Sequence, residues 1–262
     1  MQAVAARRID MLPQSTAAAI GRAALMDVSR QHPSCSTCKL ADRCLSTGMD
    51  APSMKQLDEL IKTRIRLRKG DTLYRAGGRF SALYSIRSGS CKTVVLAENG
   101  QEQIAGYHLA GDIIGIDGIG DERHECEAIA LEDTEVCVVP FDEVTRIARD
   151  DHVFQRNLHR TLSREISRER RLMLMLGTMH AHQRVVTFLL DLSDRYQARG
   201  YSASEFVLRM TREEIGSYLG LKLETVSRLL SRFQREGLIE VLGRGIKLLD
   251  RVMLRQLLDQ SA

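Results

Sequence analysis

Three thiols fall within ten residues of one another, as Cys35-x2-Cys38-x5-Cys44. Two thiolates two residues apart can grip one metal ion or two corners of a cluster, and a third closes a face. A fourth ligand has to come from further along the chain, where Cys91, Cys126 and Cys137 are candidates. The spacing by itself leans to zinc or to no metal, because Cys-x2-Cys alone is a weak signal. A second group of chemically useful residues lies near the other end. Glu224, Thr225, Ser227 and Arg228 share the first turns of one amphipathic segment. Arginine forks onto guanine O6 and N7, glutamate accepts from cytosine N4, and Arg232 and Arg235 further along suit phosphates.

The composition limits what these groups can serve. The 262 residues are 44% hydrophobic and 27% charged, which fits one large globular domain or two ordinary ones. No run of about 18 apolar residues predicts a membrane span, and the arginines near the N-terminus lack the apolar stretch of a secretory leader. The expectation is a cytoplasmic protein whose cysteines stay reduced. Charge is uneven: residues 1–142 carry a net −2, whereas 143–177 and 178–262 carry +3 each, so a polyanion would favour the C-terminal part. There is no nucleophile elbow, phosphate-binding loop or histidine-rich metal triad, so nothing points to an enzyme.

The elements that must position these residues follow from texture. Residues 53–63 have helical spacing. Ten of the 19 glycines lie between Gly70 and Gly120, separating short alternating or β-branched segments, which predicts antiparallel strands in a sandwich or jelly-roll. HECEAIALEDTEVCVVP adds a strand pair ending at Pro140. Residues 141–176 have neither Gly nor Pro and turn helical, with Leu158, Leu162, Ile166, Met173 and Leu176 in one stripe. A partner helix from a second copy is the economical cover for so long a stripe; packing within the same chain is the alternative. Glu169 falls in that stripe, where it would face its own twin across a two-fold seam or else reach outward to water.

After Gly177 come a helix (182–196), a loop, a short strand at 207–210 and two more helices. Thr211 and Glu214 form a capping box, Gly216 is small where two helices cross, and Gly220 suits a left-handed turn. With Ile215, Leu219, Leu221, Val226 and Leu229 apolar, this is a helix-turn-helix pattern, an ordinary helical hairpin being the plainer reading. LIEVLGRGIKLLD then reads as a two-stranded wing with Arg244 at its tip.

This order of elements resembles the CRP/FNR family of bacterial regulators over roughly residues 35–250. The motifs LYSIRSGS (83–90), GYHLAGDIIGIDGIG (106–120) and MTREEIGSYLGLKLETVSRLLSRFQREGLI (210–239) are similar to its FNR/ANR branch. The resemblance implies an α+β chain: an arm at 1–50, a β-roll (double-stranded β-helix or jelly-roll) sensor at 51–141, a dimerisation helix at 142–177 and a winged helix-turn-helix at 178–262. It implies a 4Fe-4S cluster on Cys35, Cys38, Cys44 and Cys137 that converts to 2Fe-2S on exposure to oxygen. It implies a homodimer with Leu158, Leu162, Ile166, Glu169 and Met173 at its seam. It also implies double-stranded DNA of TTGAT type read by Glu224, Ser227 and Arg228, with Thr225 and Arg244 beside them, and a contact with RNA polymerase through loops such as 97–102. No membrane is expected. No cyclic nucleotide is expected either: Gly115-Ile116-Asp117 stands where a nucleotide sensor has a Gly-Glu pair, and His124-Glu125-Cys126-Glu127-Ala128 where it has a phosphate-binding arginine. The alternative on the same scaffold is a ligand-sensing regulator with a structural zinc on the cysteines.

Overall fold

The computed structural model describes residues 34–61, 63–96 and 100–259. Expectations for residues 1–33, and for 97–99 in the proposed polymerase loop, lie outside them. The chain divides into two compact units, residues 1–167 and 168–262.

In the first unit eight strands form two antiparallel sheets. One is ordered β1 (Thr63–Leu67), β8 (Thr134–Pro140), β3 (Ala82–Ser88), β6 (Ile113–Ile114); the other β2 (Thr72–Tyr74), β7 (Glu127–Ala130), β4 (Ser90–Leu96), β5 (Glu102–Leu109). The alternation read from the sequence is the alternation of burial. Ile65, Leu67, Val136 and Val138 join Leu73, Cys91, Ala128 and Ala130 in the interior between the sheets. The outer face of the first sheet carries a second core. There Leu83 and Val139 meet Leu57 of α1 (Ala51–Leu60), Val144 and Ile147 of α2 (Phe141–Asp150), and Phe154 at the start of α3 (His152–Thr178). Cys35 and Leu45 are buried in the same cluster, so the cysteine segment folds onto this face.

The segment expected as one helix over 142–177 is two. Asp151 adopts extended geometry (φ −120°, ψ 105°) between α2 and α3. Its carboxylate accepts from the amides of Val153 (2.8 Å) and Phe154 (2.9 Å). An Asp that caps the following turn interrupts a helix as well as Gly or Pro does, and the absence of those two residues hid the break.

The second unit holds α4 (Ala181–Gln197), β9 (Glu205–Val207), α5 (Arg212–Leu219), α6 (Leu223–Arg235), β10 (Ile239–Leu242), β11 (Gly245–Leu248) and α7 (Arg251–Asp259). Val185, Leu189, Ile215, Leu219, Val226, Leu230 and Phe233 are all buried. The sheet order is β10-β11-β9, so the expected two-stranded wing gains a third strand. That strand lies at 205–207 rather than 207–210, because Phe206 pairs with Ile246 and Val207 with Gly245. Helix α7 was not anticipated.

Replacing Asp151 with Ala removes the cap of α3 and is expected to cost about 1 kcal/mol in urea unfolding, with Asp151→Asn retaining most of it. No loss in the alanine variant would show that the cap does not hold the break.

Candidate functional site

Val136 and Val138 point into the sandwich, so Cys137 between them points out, toward the face covered by the cysteine segment. Its cross-strand neighbours are Arg64 on β1 and Ser85 on β3. Directly opposed residues on adjacent antiparallel strands project to the same side, so a guanidinium and a hydroxyl flank the thiol.

The other three thiols arrive on a tightly turned segment. The amide of Cys38 donates to the carbonyl of Cys35 and that of Ala41 to Cys38 (3.1 Å each); a short 3-10 turn at Ala41–Arg43 then leads to Cys44. Asp58 on α1 fixes where the segment begins. Its carboxylate accepts from the backbone amide of Cys35 and from the hydroxyls of Ser34 and Ser36, both at 3.3 Å. At the far end Cys44 Sγ lies 3.2 Å from Ser85 Oγ.

Cys35, Cys38, Cys44 and Cys137 thus line one small cavity with Arg64, Ser85 and Arg87, partly open to solvent. The thiols sense each other electrostatically. Burial, with Cys44, Asp58 and Cys137 nearby, pushes the Cys35 thiol up, and burial raises Cys44. Cys137 is pushed up to about 11 by burial and by Cys44, against the opposing pull of Arg64 and Arg87. Protonated thiols must lose their protons to become ligands, so a cation entering here displaces protons. The sulfurs surround the cavity rather than gather at a point: among the described residues, no three His, Cys, Asp or Glu side chains meet closely enough for one ion. The remaining cysteines are elsewhere. Cys91 is in the sandwich interior, its thiol pushed up to about 12 by burial, and Cys126 Sγ lies 3.4 Å from Asp117.

A buried side chain hydrogen-bonds the cysteine segment to the long helix. Asn157 on α3 is buried and donates through Nδ2 to the carbonyls of Leu45 (2.9 Å) and Thr47 (2.6 Å), the residues just past Cys44. Further along α3, Leu158 and Leu162 are half-buried and Ile166, Glu169 and Met173 exposed, so among the described residues much of the stripe has no cover. Leu158 is the exception and packs on the outer core.

Inside the sandwich, His124 is buried and stacked on Tyr74 with ring centroids 3.8 Å apart. Asp117 accepts from the amides of Glu125 (2.9 Å) and Cys126 (3.3 Å).

In the second unit the helix pair has the expected local chemistry. Thr211 Oγ1 accepts from the Glu214 amide (3.1 Å), and Glu214 accepts from the Thr211 amide (2.6 Å). Gly220 ends α5 at φ 61°, ψ 39°. A Cβ on Gly216 would lie 2.6 Å from the carbonyl oxygen of Leu221, so only glycine allows the turn to close. Helix α6 then presents Glu224 and Arg228 exposed, with Thr225 and Ser227 half-buried beside them. Thr225, Ser227, Arg228, Arg232 and Arg235 line a shallow groove, and Arg244 is exposed at the tip of the β10–β11 hairpin.

Asn157, Asp58, Arg64 and Ser85 were not anticipated. Arg64 was within reach of the sequence: Arg64 and Arg66 alternate with Ile65 and Leu67, which puts both arginines on the outer face. Nothing local marks Asn157 or Asp58, whose partners are 110 and 23 residues away.

Two family models match: a cyclic nucleotide-binding domain over residues 64–151 and a Crp-like helix-turn-helix domain over 183–257. The chain is 48% identical over 228 residues to the transcriptional regulatory protein btr of Bordetella pertussis, covering 87% of this chain and 94% of that protein. It is 43% identical to the transcriptional activator protein Anr of Pseudomonas protegens, covering 84% and 90%. Among solved structures it resembles FixK2 of Bradyrhizobium japonicum, with a TM-score of 0.70, 33% identity, and coverage of 76% and 98%.

Replacing Gly216 with Val forces a side chain against the Leu221 carbonyl and is expected to destabilise the second unit by about 1–3 kcal/mol. Thermal unfolding checks this; an unchanged transition would mean that the turn has slack.

Proposed function

This chain belongs to the CRP/FNR family of transcription regulators, and on that footing we propose that it is an oxygen-responsive one, active without oxygen, with an iron–sulfur cluster as its sensor. It is a DNA-binding regulator and not an enzyme. The observation that carries the finer reading is that four cysteines line one cavity and that the segment leaving Cys44 is hydrogen-bonded to the long helix.

The donor set fits a cluster. Four thiolates are what 4Fe-4S groups take. A tetrahedral zinc with Zn–S near 2.3 Å would need sulfurs about 3.8 Å apart, whereas these surround a space. When bound, a 4Fe-4S cluster on Cys35, Cys38, Cys44 and Cys137 supplies an oxygen-labile clip. The chain does the rest. Asp58 holds the start of the cysteine segment, Ser85 and Cys137 receive its end on the sheet, and Asn157 carries the position of residues 45–47 to α3. With that segment in place, Leu158, Leu162, Ile166 and Met173 pack against a second copy despite the opposed Glu169 pair. When it loosens, the glutamates' repulsion has less to oppose it and the dimer weakens. A few kcal/mol at such a seam moves DNA occupancy by orders of magnitude.

In the dimer two copies of α6 enter successive major grooves one helical turn apart. Glu224, Ser227 and Arg228 read a TTGAT-type palindrome, with Thr225 and Arg244 beside the backbone. The segment 97–102 is the one offered to RNA polymerase. The Tyr74–His124 stack and the half-buried, acidic Asp117 beside it support a sensor that takes no cyclic nucleotide. The regulator works in the cytoplasm.

Anaerobic purification with iron, sulfide and zinc counted per chain is the test. About four irons and four sulfides, with a visible band that changes on admitting air and is lost in Cys137→Ala, support the reading. One zinc with no sulfide would overturn it in favour of a ligand-sensing regulator with a structural metal. Asn157→Leu should keep the cluster but blunt the change in dimerisation on exposure to air, followed by analytical ultracentrifugation; an unchanged response would remove Asn157 from the route. Arg228→Ala should cost about 1–3 kcal/mol of DNA affinity and relax discrimination at the guanine position, read by titrating duplexes altered at that base.

A further inference from the structure

The cavity holds charge and hydrogen-bonding capacity that holding a cluster in place does not account for. Arg64, Arg66 and Arg87 all approach Glu135, at 3.2, 3.5 and 3.4 Å, so three guanidiniums share one carboxylate on the outer sheet face. Arg64 and Arg87 line the cavity beside the four thiols. Arg64 is the most enclosed of the three arginines, with its side chain 17% exposed. Its Nε is buried and has no hydrogen-bond partner among the described residues. A buried N–H without an acceptor is costly, about 1–3 kcal/mol, so an orphan of this kind in a cavity wall marks where an acceptor belongs. Across Cys137, in register, Ser85 places its hydroxyl 3.2 Å from Cys44 Sγ.

Resting on the iron–sulfur reading above, we infer that Arg64 and Ser85 are tuning residues for the sensor: Arg64 gives its charge and its Nε–H to the sulfurs around Cys137, and Ser85 gives its hydroxyl to Cys44. A cluster held by four thiolates is anionic, and burying an anion calls for compensation. The potential of such a group is set by the charge around it, by hydrogen bonds to its sulfurs and by its exposure. A cation and two donors on one side stabilise the more negative, reduced form. They raise the potential and make loss of an electron to dioxygen harder. Arg64 and Ser85 thus set the oxygen threshold of the switch without themselves binding iron.

The experiment is an anaerobic redox titration of the reconstituted full-length protein, alongside iron and sulfide counts and urea unfolding of the apo form. Arg64→Leu should load iron and sulfide as the parent does, unfold at an unchanged urea concentration in the apo form, and take up an electron less readily. The expected shift is about tenfold in the reduced-to-oxidised ratio at fixed potential, ~59 mV downward for one electron. Arg64→Lys, which keeps the charge and loses Nε–H, should fall between the two, and Ser85→Ala should shift the same way by less. If Arg64→Leu loads poorly, Arg64→Gln and Ser85→Ala carry the comparison. Potentials equal to the parent's in every loaded variant would overturn the inference while leaving the cluster standing. Failure of the parent itself to take up iron and sulfide would overturn both.

Discussion

Strand alternation along β8 is the constraint on which the thiol cavity of the first unit depends. With Val136 and Val138 committed to the sandwich core, Cys137 has only the outer face available. A sheet face already carrying α1, α2 and the start of α3 has one open strip, where β1, β8 and β3 run side by side. The cysteine segment lies over that strip, and everything placed there by register comes with it: Arg64 on one side of Cys137, Ser85 on the other, Glu135 and its arginines two residues away. A one-residue slip of β8 would turn Cys137 inward and both valines outward, so the interior core and the thiol cavity specify the same register.

What couples this strip to the long helix is small in energy and well placed. Two hydrogen bonds from a buried amide contribute about 0.5–1.5 kcal/mol each. That is slight beside the apolar contacts of Leu45, Leu57 and Phe154 around them, but those contacts are indifferent to small shifts of the backbone. Hydrogen bonds at 2.9 and 2.6 Å to the carbonyls of Leu45 and Thr47 are not. A directional tie at the root of α3, followed by a stripe that grows more exposed along the helix, is a geometry in which a modest change near Cys44 can alter how the stripe meets a second copy.

The sequence disclosed what is local and left hidden what is not. The capping box at Thr211 and Glu214, the left-handed Gly220 and the glycine needed at 216 all act within ten residues, and the helix-turn-helix was legible down to the first residue of α6. The three N-terminal thiols were legible for the same reason. Cys137 could not be singled out by spacing, since Cys91 and Cys126 competed with it; only the resemblance favoured it, and the structure places it beside the other three. The break at Asp151 was missed because a capping aspartate looks like any surface residue until the turn after it is known. Asn157 bonds to a carbonyl 112 residues away, and backbone carbonyls leave no trace in a sequence.

On the proposed iron–sulfur reading, the two cores of the first unit suggest why the sensor would sit on the outer face. A sandwich that binds a ligand between its sheets has to leave space and polar partners inside. Here Tyr74 and Tyr84 are buried with 5.6 Å between ring centroids, His124 stacks on Tyr74, and the half-buried Asp117 accepts from backbone amides. On that reading, responsive chemistry on the outer face would leave the sandwich as a fixed frame. The parts that have to yield are then a ten-residue cysteine segment, held by Asp58 at one end and by Asn157 just beyond the other, and the strip of sheet beneath it. A cofactor bound there need not deform the β-roll at all; it has only to decide whether residues 45–47 stay where Asn157 expects them.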